Sequence, residues 1–373
     1  MLANRQLRED TLMPRLIIDS HLDLAWSALF FNRDLLLEVD DVRKVEEGMT
    51  DEKSRGHNTL TFPELKRAGV RICVGTLLAR GGPVQPVRPL IKRTDLDYVN
   101  QTHAYCIAHS QLAYYRVLEK QGVIKMLRTA RDLDAHHKLV TKDDAAPMGM
   151  ILSMEGADPI MSPAQVQEWW DNGLRACGPS HYGRSHYSYG TGVEGPFSAA
   201  GKELLKAFER VGMILDVTHL CDESMAQAFD LFGGRMLASH HNCRALVPGD
   251  RQLTDDQVKN LIKRNAVIGA AFDAWMLYPG WVRMQTKPEV VGLTAVADHI
   301  DHVCQLAGNV KHSAIGSDLD GGFGYEQTPR DFNKITDLQK LGGILSERNY
   351  SDADINLIFH GNWLRFFKES LPA

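Results

Sequence analysis

The sequence of 373 residues contains no apolar run that approaches the roughly 20 residues of a membrane-spanning helix. Residues 1–15 alternate charged and apolar side chains, so they lack the apolar centre of a signal peptide. Residues 366–371 are too short and too charged for an anchor signal. The six cysteines lie far apart without a Cys-x-x-Cys pair, which is typical of reduced cytosolic thiols. We therefore expect a cytoplasmic protein with no membrane partner.

Runs of basic residues are also missing. The 42 Lys and Arg are scattered among 47 Asp and Glu, and the net charge of −5 gives no electrostatic reason to expect a nucleic-acid partner. The hydrophobic share of 44% and the charged share of 24% are those of an ordinary globular protein. Because no linker or low-complexity segment divides the chain, we expect one domain that covers residues 1–373, with helices at its C-terminus.

Eight apolar, β-rich segments, most of them followed by a segment with helical spacing, predict an α/β fold of the (β/α)8 or TIM-barrel type. The predicted strands are residues 16–18, 70–78, 148–154, 173–177, 212–219, 235–239, 266–272 and 312–318. The predicted helices are residues 62–68, 95–121, 165–171, 199–211, 222–231, 254–264, 293–306, 331–345 and 352–371.

Two segments are predicted as connections. Residues 81–89 contain three prolines, which exclude regular structure. The polar residues 32–57 fit either a solvated helix and loop or a long βα-loop over the active face.

Reactive side chains follow the predicted strands. His21 and Asp23 come after the first strand, and residues two apart on an extended chain point the same way. Further candidates at or just past other strand ends are Glu155, His181, His219, His240 and Asp318. In a parallel barrel these ends converge on one mouth. Imidazole and carboxylate ligands suit Zn²⁺, and a carboxylate that bridges two ions leaves room for a bridging hydroxide.

Some of these positions have competitors. His241 competes with His240, but neighbours on a strand face opposite ways, so only one can point inward. Cys221 and Cys243 stand close after the two histidines, although both lie beyond the strand ends. Asp320 competes with Asp318, which we prefer because it is nearer the strand.

With these residues in view, the chain resembles the membrane dipeptidase (renal dipeptidase) family of zinc peptidases, peptidase family M19, within the amidohydrolase-like barrels. The resemblance extends over nearly the whole chain, from about residue 17 to 366. The matching segments are residues 19–26, 154–156, 216–219, 239–241, 315–321 and 361–365.

The resemblance implies two zinc ions per chain. His21 and Asp23 would hold one ion, His219 and His240 would hold the second, and Glu155 would bridge them.

The resemblance also implies roles in substrate binding and catalysis. His181 would stabilise the developing oxyanion, and Arg251 would bind the C-terminal carboxylate of the substrate. Asp318 would accept the proton of the nucleophile and pass it to the leaving amine.

The sequence therefore predicts a binuclear zinc dipeptidase that acts on short peptides through a metal-bridging hydroxide. The family resemblance implies tolerance of a C-terminal D-residue and a homodimer. The alternative is another amidohydrolase reaction, such as the deacylation of N-acyl amino acids. A non-catalytic barrel is a further alternative, disfavoured because the full ligand set is present.

Overall fold

The computed structural model describes residues 14–81 and 96–373. In these ranges the strands are β1 (Ile17–Leu22), β2 (Val70–Leu78), β3 (Ile124–Met126), β4 (Met148–Glu155), β5 (Leu174–Gly178), β6 (Ile214–Asp216), β7 (Met236–Leu237), β8 (Ile268–Ala270) and β9 (Ser313–Ile315). The α-helices are α1 (Leu24–Phe30), α2 (Val39–Val45), α3 (Phe62–Arg67), α4 (Gln101–Lys120), α5 (Ala130–Val140), α6 (Val166–Asp171), α7 (Ala199–Val211), α8 (Asp222–Leu231), α9 (Asp255–Lys263), α10 (Thr294–Ala307), α11 (Lys340–Glu347), α12 (Asp352–Asn356) and α13 (Asn362–Ser370).

The strands form a curled parallel sheet. Its order is β1-β2-β4-β5-β6-β7, and β3 pairs with the start of β4. β8 and β9 form a parallel pair, joined to β7 by the backbone bonds of Ala238, which donates to Val267 (3.1 Å) and accepts from Gly269 (2.9 Å). At the other edge of the sheet, the Asp19 carboxylate connects β1 to β9, because it accepts a hydrogen bond from Ser317 N (3.0 Å), just after β9. This architecture confirms the predicted barrel fold.

The barrel interior is filled by small and branched side chains, as parallel sheets covered on both faces require. An apolar cluster includes residues from seven of the nine described strands and three aromatic residues from α13: Ile18, Ile72, Val74, Ile151, Ala176, Ile214, Leu237, Ala314, Trp363, Phe366 and Phe367. The Trp363 indole also donates to the carbonyl of Ile315 (2.8 Å). The C-terminal helix therefore closes the end of the barrel opposite the predicted site.

All eight predicted strands are present, but β3 is an addition. Its Ile-Lys-Met sequence is too short to show a period. The long C-terminal helix predicted over residues 352–371 is wrong in detail, because a π-helical turn at Leu357–Gly361 separates α12 from α13. The helix predicted over residues 331–345 begins as a 3₁₀ turn, Ile335–Gln339, before α11. The predicted helix start at residue 95 and nearly all of the predicted loop 81–89 lie outside the described residues; α4 begins after Asn100, which caps it.

Residues 32–57 satisfy both interpretations in part. They contain the short helix α2, and they also lie along the loop that follows β9: the Lys53 ammonium donates to Gln327 (2.6 Å). The Glu46 carboxylate holds this segment in place. It accepts from Arg33 Nε (2.8 Å), Arg55 Nη1 (2.8 Å) and Gly56 N (2.7 Å), and its side chain is only 2% exposed.

We expect Glu46→Ala to lower the free energy of unfolding by about 3–5 kcal/mol, because it leaves the buried Arg33 guanidinium without its carboxylate and leaves Arg55 with Asp51 alone. Denaturant titration of the variant and of the wild type measures this loss. The control is Glu47→Ala, which removes an exposed neighbour and should change stability by less than about 0.5 kcal/mol. Equal denaturation midpoints for the two variants would contradict the proposed role of Glu46 in holding residues 32–57.

Candidate metal centre

Seven predicted site residues meet at the carboxyl ends of the strands: His21, Asp23, Glu155, His181, His219, His240 and Asp318. They form three overlapping sets of potential ligands, and within each set the ligand atoms lie within 4.8 Å of one another. Apart from the pair His21 and Asp23, these residues come from different strand ends or loops, and the barrel topology brings them together.

Glu155, the last residue of β4, stands at the centre of this group. Its Oε1 lies 3.2 Å from Nε2 of His219 and 3.3 Å from Nε2 of His240. Its Oε2 lies 3.5 Å from Nε2 of His21. The two oxygens of this carboxylate thus face different imidazoles, Oε2 that of His21 and Oε1 those of His219 and His240.

The acidic side chains near His21 complete the other half of the group. Nε2 of His21 lies 3.7 Å from Oδ1 of Asp23 and 3.8 Å from Oδ1 of Asp318. Asp23 is held in turn by a hydrogen bond from the Thr76 hydroxyl, at the end of β2.

Two of these side chains are aimed by unusual backbone angles. His219 has φ of 69° and Asp318 has φ of 61°. Left-handed conformations are uncommon outside glycine and concentrate at functional sites. They end β6 and β9 earlier than the predicted strands 212–219 and 312–318, and they turn both side chains into the barrel mouth.

Hydroxyl groups stand at the other nitrogen of three histidines. Thr191 Oγ1 lies 3.0 Å from Nδ1 of His219. Ser239 Oγ lies 2.9 Å from Nδ1 of His240 and 3.4 Å from Nδ1 of His21. With each Nδ1–H donating to a hydroxyl, the Nε2 lone pairs point into the centre, which is the orientation of a metal-binding imidazole.

The donor set fits a cation. Nε2 of His219 and Nε2 of His240 lie 3.3 Å apart and both face a carboxylate oxygen, so acceptors confront acceptors. Nε2 of His21 is buried without a hydrogen-bond partner within the described part of the chain. A divalent metal ion would satisfy all of these atoms, and mixed nitrogen and oxygen ligands suit zinc.

Burial and the neighbouring charges shift the pKa values of the site residues. It lowers the pKa of His219 and His240 well below the ordinary value, so both are neutral, as metal ligands must be. Burial also raises the pKa of Asp318 well above its ordinary value, and the nearby carboxylates of Glu155 and Asp23 raise it further. For His21 burial acts to lower the pKa, but the charges of Glu155 and Asp23 outweigh it and raise the value.

His181 differs from the other three histidines. Its Nδ1 faces Nη1 of Arg80 at 3.5 Å. A guanidinium group only donates, so this Nδ1 accepts and the proton lies on Nε2, which is 3.7 Å from Glu155 Oε1. His181 therefore presents an N–H to the centre and suits a hydrogen-bond donor better than a metal ligand.

Arg251 lies at the edge of the group. It is 1% exposed, and Nη2 donates to the carbonyl of His240 (2.9 Å). Its Nη1 is buried and has no acceptor among residues 14–81 and 96–373. A buried guanidinium with a spare donor beside the centre can bind an anionic group.

The competing residues serve other contacts. Asp320 accepts hydrogen bonds from Thr59 N (2.8 Å) and from the Thr59 hydroxyl (2.8 Å), so it holds the chain just after residues 32–57. Cys221 accepts from Ser224 N at the start of α8, and Cys243 Sγ contacts the carbonyl of His299. His241 belongs to none of the three ligand sets.

Four supporting residues were missed by sequence reasoning: Thr76, Arg80, Thr191 and Ser239. Thr76 and Ser239 lie at or near the ends of β2 and β7, where position alone was a usable signal. Thr191 lies in a long loop, and Arg80 lies two residues beyond β2, so only the folded chain shows what they contact.

Comparison with known proteins agrees with this geometry. Residues 8–371 match the family model of membrane dipeptidase, peptidase family M19. The chain belongs to this family. The recognition made from the sequence is thereby confirmed, as is the predicted enzyme class, a peptide hydrolase, and membership implies metal binding by this M19 chain.

Individual M19 relatives are distant. An uncharacterized Klebsiella pneumoniae protein is 26% identical over 70% of this chain and 95% of its own length. An uncharacterized dipeptidase of Schizosaccharomyces pombe is 25% identical, and a dipeptidase of Aspergillus oryzae is 27% identical. The chain spans about half the length of these two fungal proteins, 52% and 53%.

Solved structures share the fold of this M19 chain. The M19 dipeptidase AC superposes with a TM-score of 0.78 at 22% identity, over 96% of this chain and 99% of that one. A metallo peptidase of Rhodobacter sphaeroides, liganded with a phosphinate mimic of L-Ala-D-Ala, superposes with a TM-score of 0.75 at 20% identity, with the same coverage. Among the described residues of the present chain, no helix is long and apolar enough to cross a membrane.

Removal of metal should destabilise the protein, because the buried carboxylates and imidazoles of the centre then lack a cation. We expect treatment with a chelator to lower the melting temperature and added Zn²⁺ to restore it; a ligand at 100 times its Kd stabilises a fold by about 2.7 kcal/mol. Differential scanning calorimetry measures both changes. Mg²⁺ is the control, since it prefers oxygen ligands, and an equal response to Mg²⁺ and Zn²⁺ would contradict a nitrogen-rich site.

Proposed function

We propose that this chain is a binuclear zinc dipeptidase that hydrolyses dipeptides and tolerates a D-residue at the C-terminal position. The observation that carries the proposal is the position of Glu155, whose two carboxylate oxygens face His21 on one side and His219 with His240 on the other. A carboxylate whose two oxygens face imidazoles on opposite sides can bridge two metal ions.

The two metal sites follow from these contacts. His21 and Asp23 would hold one zinc ion, His219 and His240 would hold the other, and Glu155 would bridge them. Bound zinc supplies two effects, a lowered pKa for a coordinated water and polarisation of the scissile carbonyl.

Arg251 would bind the C-terminal carboxylate of the substrate. Its Nη2 is fixed by the carbonyl of His240, one of the proposed ligands, while Nη1 has no acceptor in the described residues. The anchored guanidinium therefore lies at a fixed distance from the centre, which would limit cleavage to short peptides.

Asp318 and His181 would move the proton and stabilise charge. The raised pKa of Asp318 suits a carboxylate that accepts a proton from the nucleophile and passes it to the leaving amine. His181, with its proton on Nε2, would donate to the oxyanion of the tetrahedral intermediate. Neither role needs large motion, since both side chains already face Glu155 or His21.

Other parts of the proposal rest on the family resemblance and on the sequence. They are a homodimer, a cytoplasmic location and one domain over residues 1–373. The L-Ala-D-Ala mimic bound by the Rhodobacter neighbour motivates the D-residue. The competing reaction is deacylation of N-acyl amino acids, whose free carboxylate Arg251 could also bind.

Elemental analysis combined with a substrate panel tests the proposed function. We expect about two zinc ions per chain and chelator-sensitive cleavage of L-L and L-D dipeptides. Two zinc ions with cleavage of N-acyl amino acids alone would replace the dipeptidase by the deacylase. Fewer than two ions per chain would overturn the binuclear centre.

Substitutions should separate binding from chemistry. We expect Arg251→Ala to raise KM about 10- to 100-fold with little change in kcat, because it removes a charge-assisted contact to the substrate. Arg251→Lys keeps the charge without the two-point geometry and should be intermediate.

Asp318→Asn should lower kcat about 10²- to 10⁴-fold with little change in KM, because an amide cannot carry the proton. Steady-state kinetics measures both parameters. The control is Asp298→Asn, which changes an exposed aspartate paired with Arg348. Equal effects of Asp318→Asn on kcat and KM would count against the assigned role.

A further inference from the structure

Ser239 occupies a position that links the two halves of the centre. Its hydroxyl oxygen lies 2.9 Å from Nδ1 of His240 and 3.4 Å from Nδ1 of His21. The ring centroids of these two imidazoles lie 3.6 Å apart, and their planes are tilted by 37°. In the proposed function they bind different metal ions, so one hydroxyl contacts a ligand of each ion.

The hydrogen-bond inventory fixes the direction of these contacts. A histidine that binds metal through Nε2 carries its proton on Nδ1, so both Nδ1–H groups donate. The serine oxygen has two lone pairs and can accept both bonds. Its own proton is then available for Thr218 Oγ1, at 3.3 Å. Every donor and acceptor of the Ser239 hydroxyl is used in this arrangement.

The backbone holds Ser239 in place from both sides. Ser239 N donates to the Asp216 carboxylate (3.1 Å), and the Ser20 hydroxyl donates to the Ser239 carbonyl (2.5 Å). A Cβ atom on Gly316 would stand 1.8 Å from that carbonyl oxygen, so only glycine permits this close approach of β7 and β9. Bonds from β6 and β1 thus fix the backbone of Ser239 and with it the position of the hydroxyl.

We propose that Ser239 is a positioning residue shared by both metal sites, and that it sets the affinity of both zinc ions together. The inference rests on the proposed binuclear centre. Partners of metal-bound histidines typically change metal affinity about 10- to 100-fold when they are removed. Most such partners orient one ligand, whereas Ser239 orients two.

Thr191 provides the matched comparison. Its hydroxyl contacts one histidine, His219, at Nδ1 (3.0 Å) and at the carbonyl oxygen (3.4 Å), and this histidine belongs to the same proposed ion as His240. Thr191→Val removes the hydroxyl at nearly constant volume. It should therefore weaken the binding of one zinc ion only. It also measures how far weaker binding of one ion affects the affinity for the other through Glu155.

Zinc titration of the full chain tests the inference. Metal-free wild type, Ser239→Ala and Thr191→Val are titrated with Zn²⁺ against a chromophoric chelator, which gives two dissociation constants for each protein. We expect Ser239→Ala to raise both constants about 10- to 100-fold and Thr191→Val to raise one. Ser239→Cys, which fills the space with a weak acceptor, should also raise both and covers the case in which the alanine variant does not fold. Melting of the metal-free proteins measures folding independently of zinc.

Two results would overturn the shared role. Either Ser239→Ala changes one constant or none, or it gives the same pattern as Thr191→Val. A wild type that binds fewer than two zinc ions would instead refute the proposed function itself. The two failures are therefore distinguishable in one experiment.

Discussion

The confinement of several ionisable groups around Glu155, at the carboxyl end of the barrel, is the constraint on which the rest of the site depends. Buried carboxylate oxygens and imidazole nitrogens that lie 3.2–3.8 Å apart cannot all form hydrogen bonds with one another, because most of the facing atoms are acceptors. A cation resolves this conflict, and the low dielectric of the site strengthens its binding. The barrel below has an apolar interior, which α13 closes at the opposite end.

Neighbouring hydroxyl and guanidinium groups determine which nitrogen of each histidine carries the proton. Thr191 and Ser239 receive the Nδ1 protons of His219, His240 and His21, which leaves their Nε2 atoms for metal. Arg80 presents a donor to His181 and so reverses its tautomer. Among four chemically identical side chains, three thus present a bare Nε2 to Glu155 and one presents an N–H. The difference comes from the neighbours Thr191, Ser239 and Arg80, which contact the histidines from other parts of the chain or from the adjacent position. A metal-binding group of histidines agrees with membership in family M19.

The two aspartates of the Asp318-Leu319-Asp320 turn show how position separates equivalent residues. Both have left-handed φ angles, 61° and 58°. Asp318 faces His21, while Asp320 accepts bonds from Thr59 and is thereby tied to the segment that Glu46 anchors. Burial raises the pKa of Asp320 to about 6, and the bonds from Thr59 oppose that rise. The Asp318 carboxylate therefore faces the candidate metal centre, whereas the Asp320 carboxylate joins the loop after β9 to the chain at Thr59.

The sequence by itself determined the barrel class, because eight apolar segments with intervening helical periods allow few other architectures, and it determined the residues brought to the strand ends. It could not reveal β3, whose three residues show no period, or the π-turn that divides the last helix. Sequence position already favoured Asp318 over Asp320 and His240 over His241, and the tertiary structure shows that Asp320 bonds Thr59 instead and that His241 lies in none of the ligand sets. Only the tertiary structure showed Thr191, Arg80 and Ser239 beside the histidines. Strand periodicity fixes which face a side chain occupies, whereas hydrogen-bond partners come from chain segments tens to hundreds of residues away, whose approach is decided by packing.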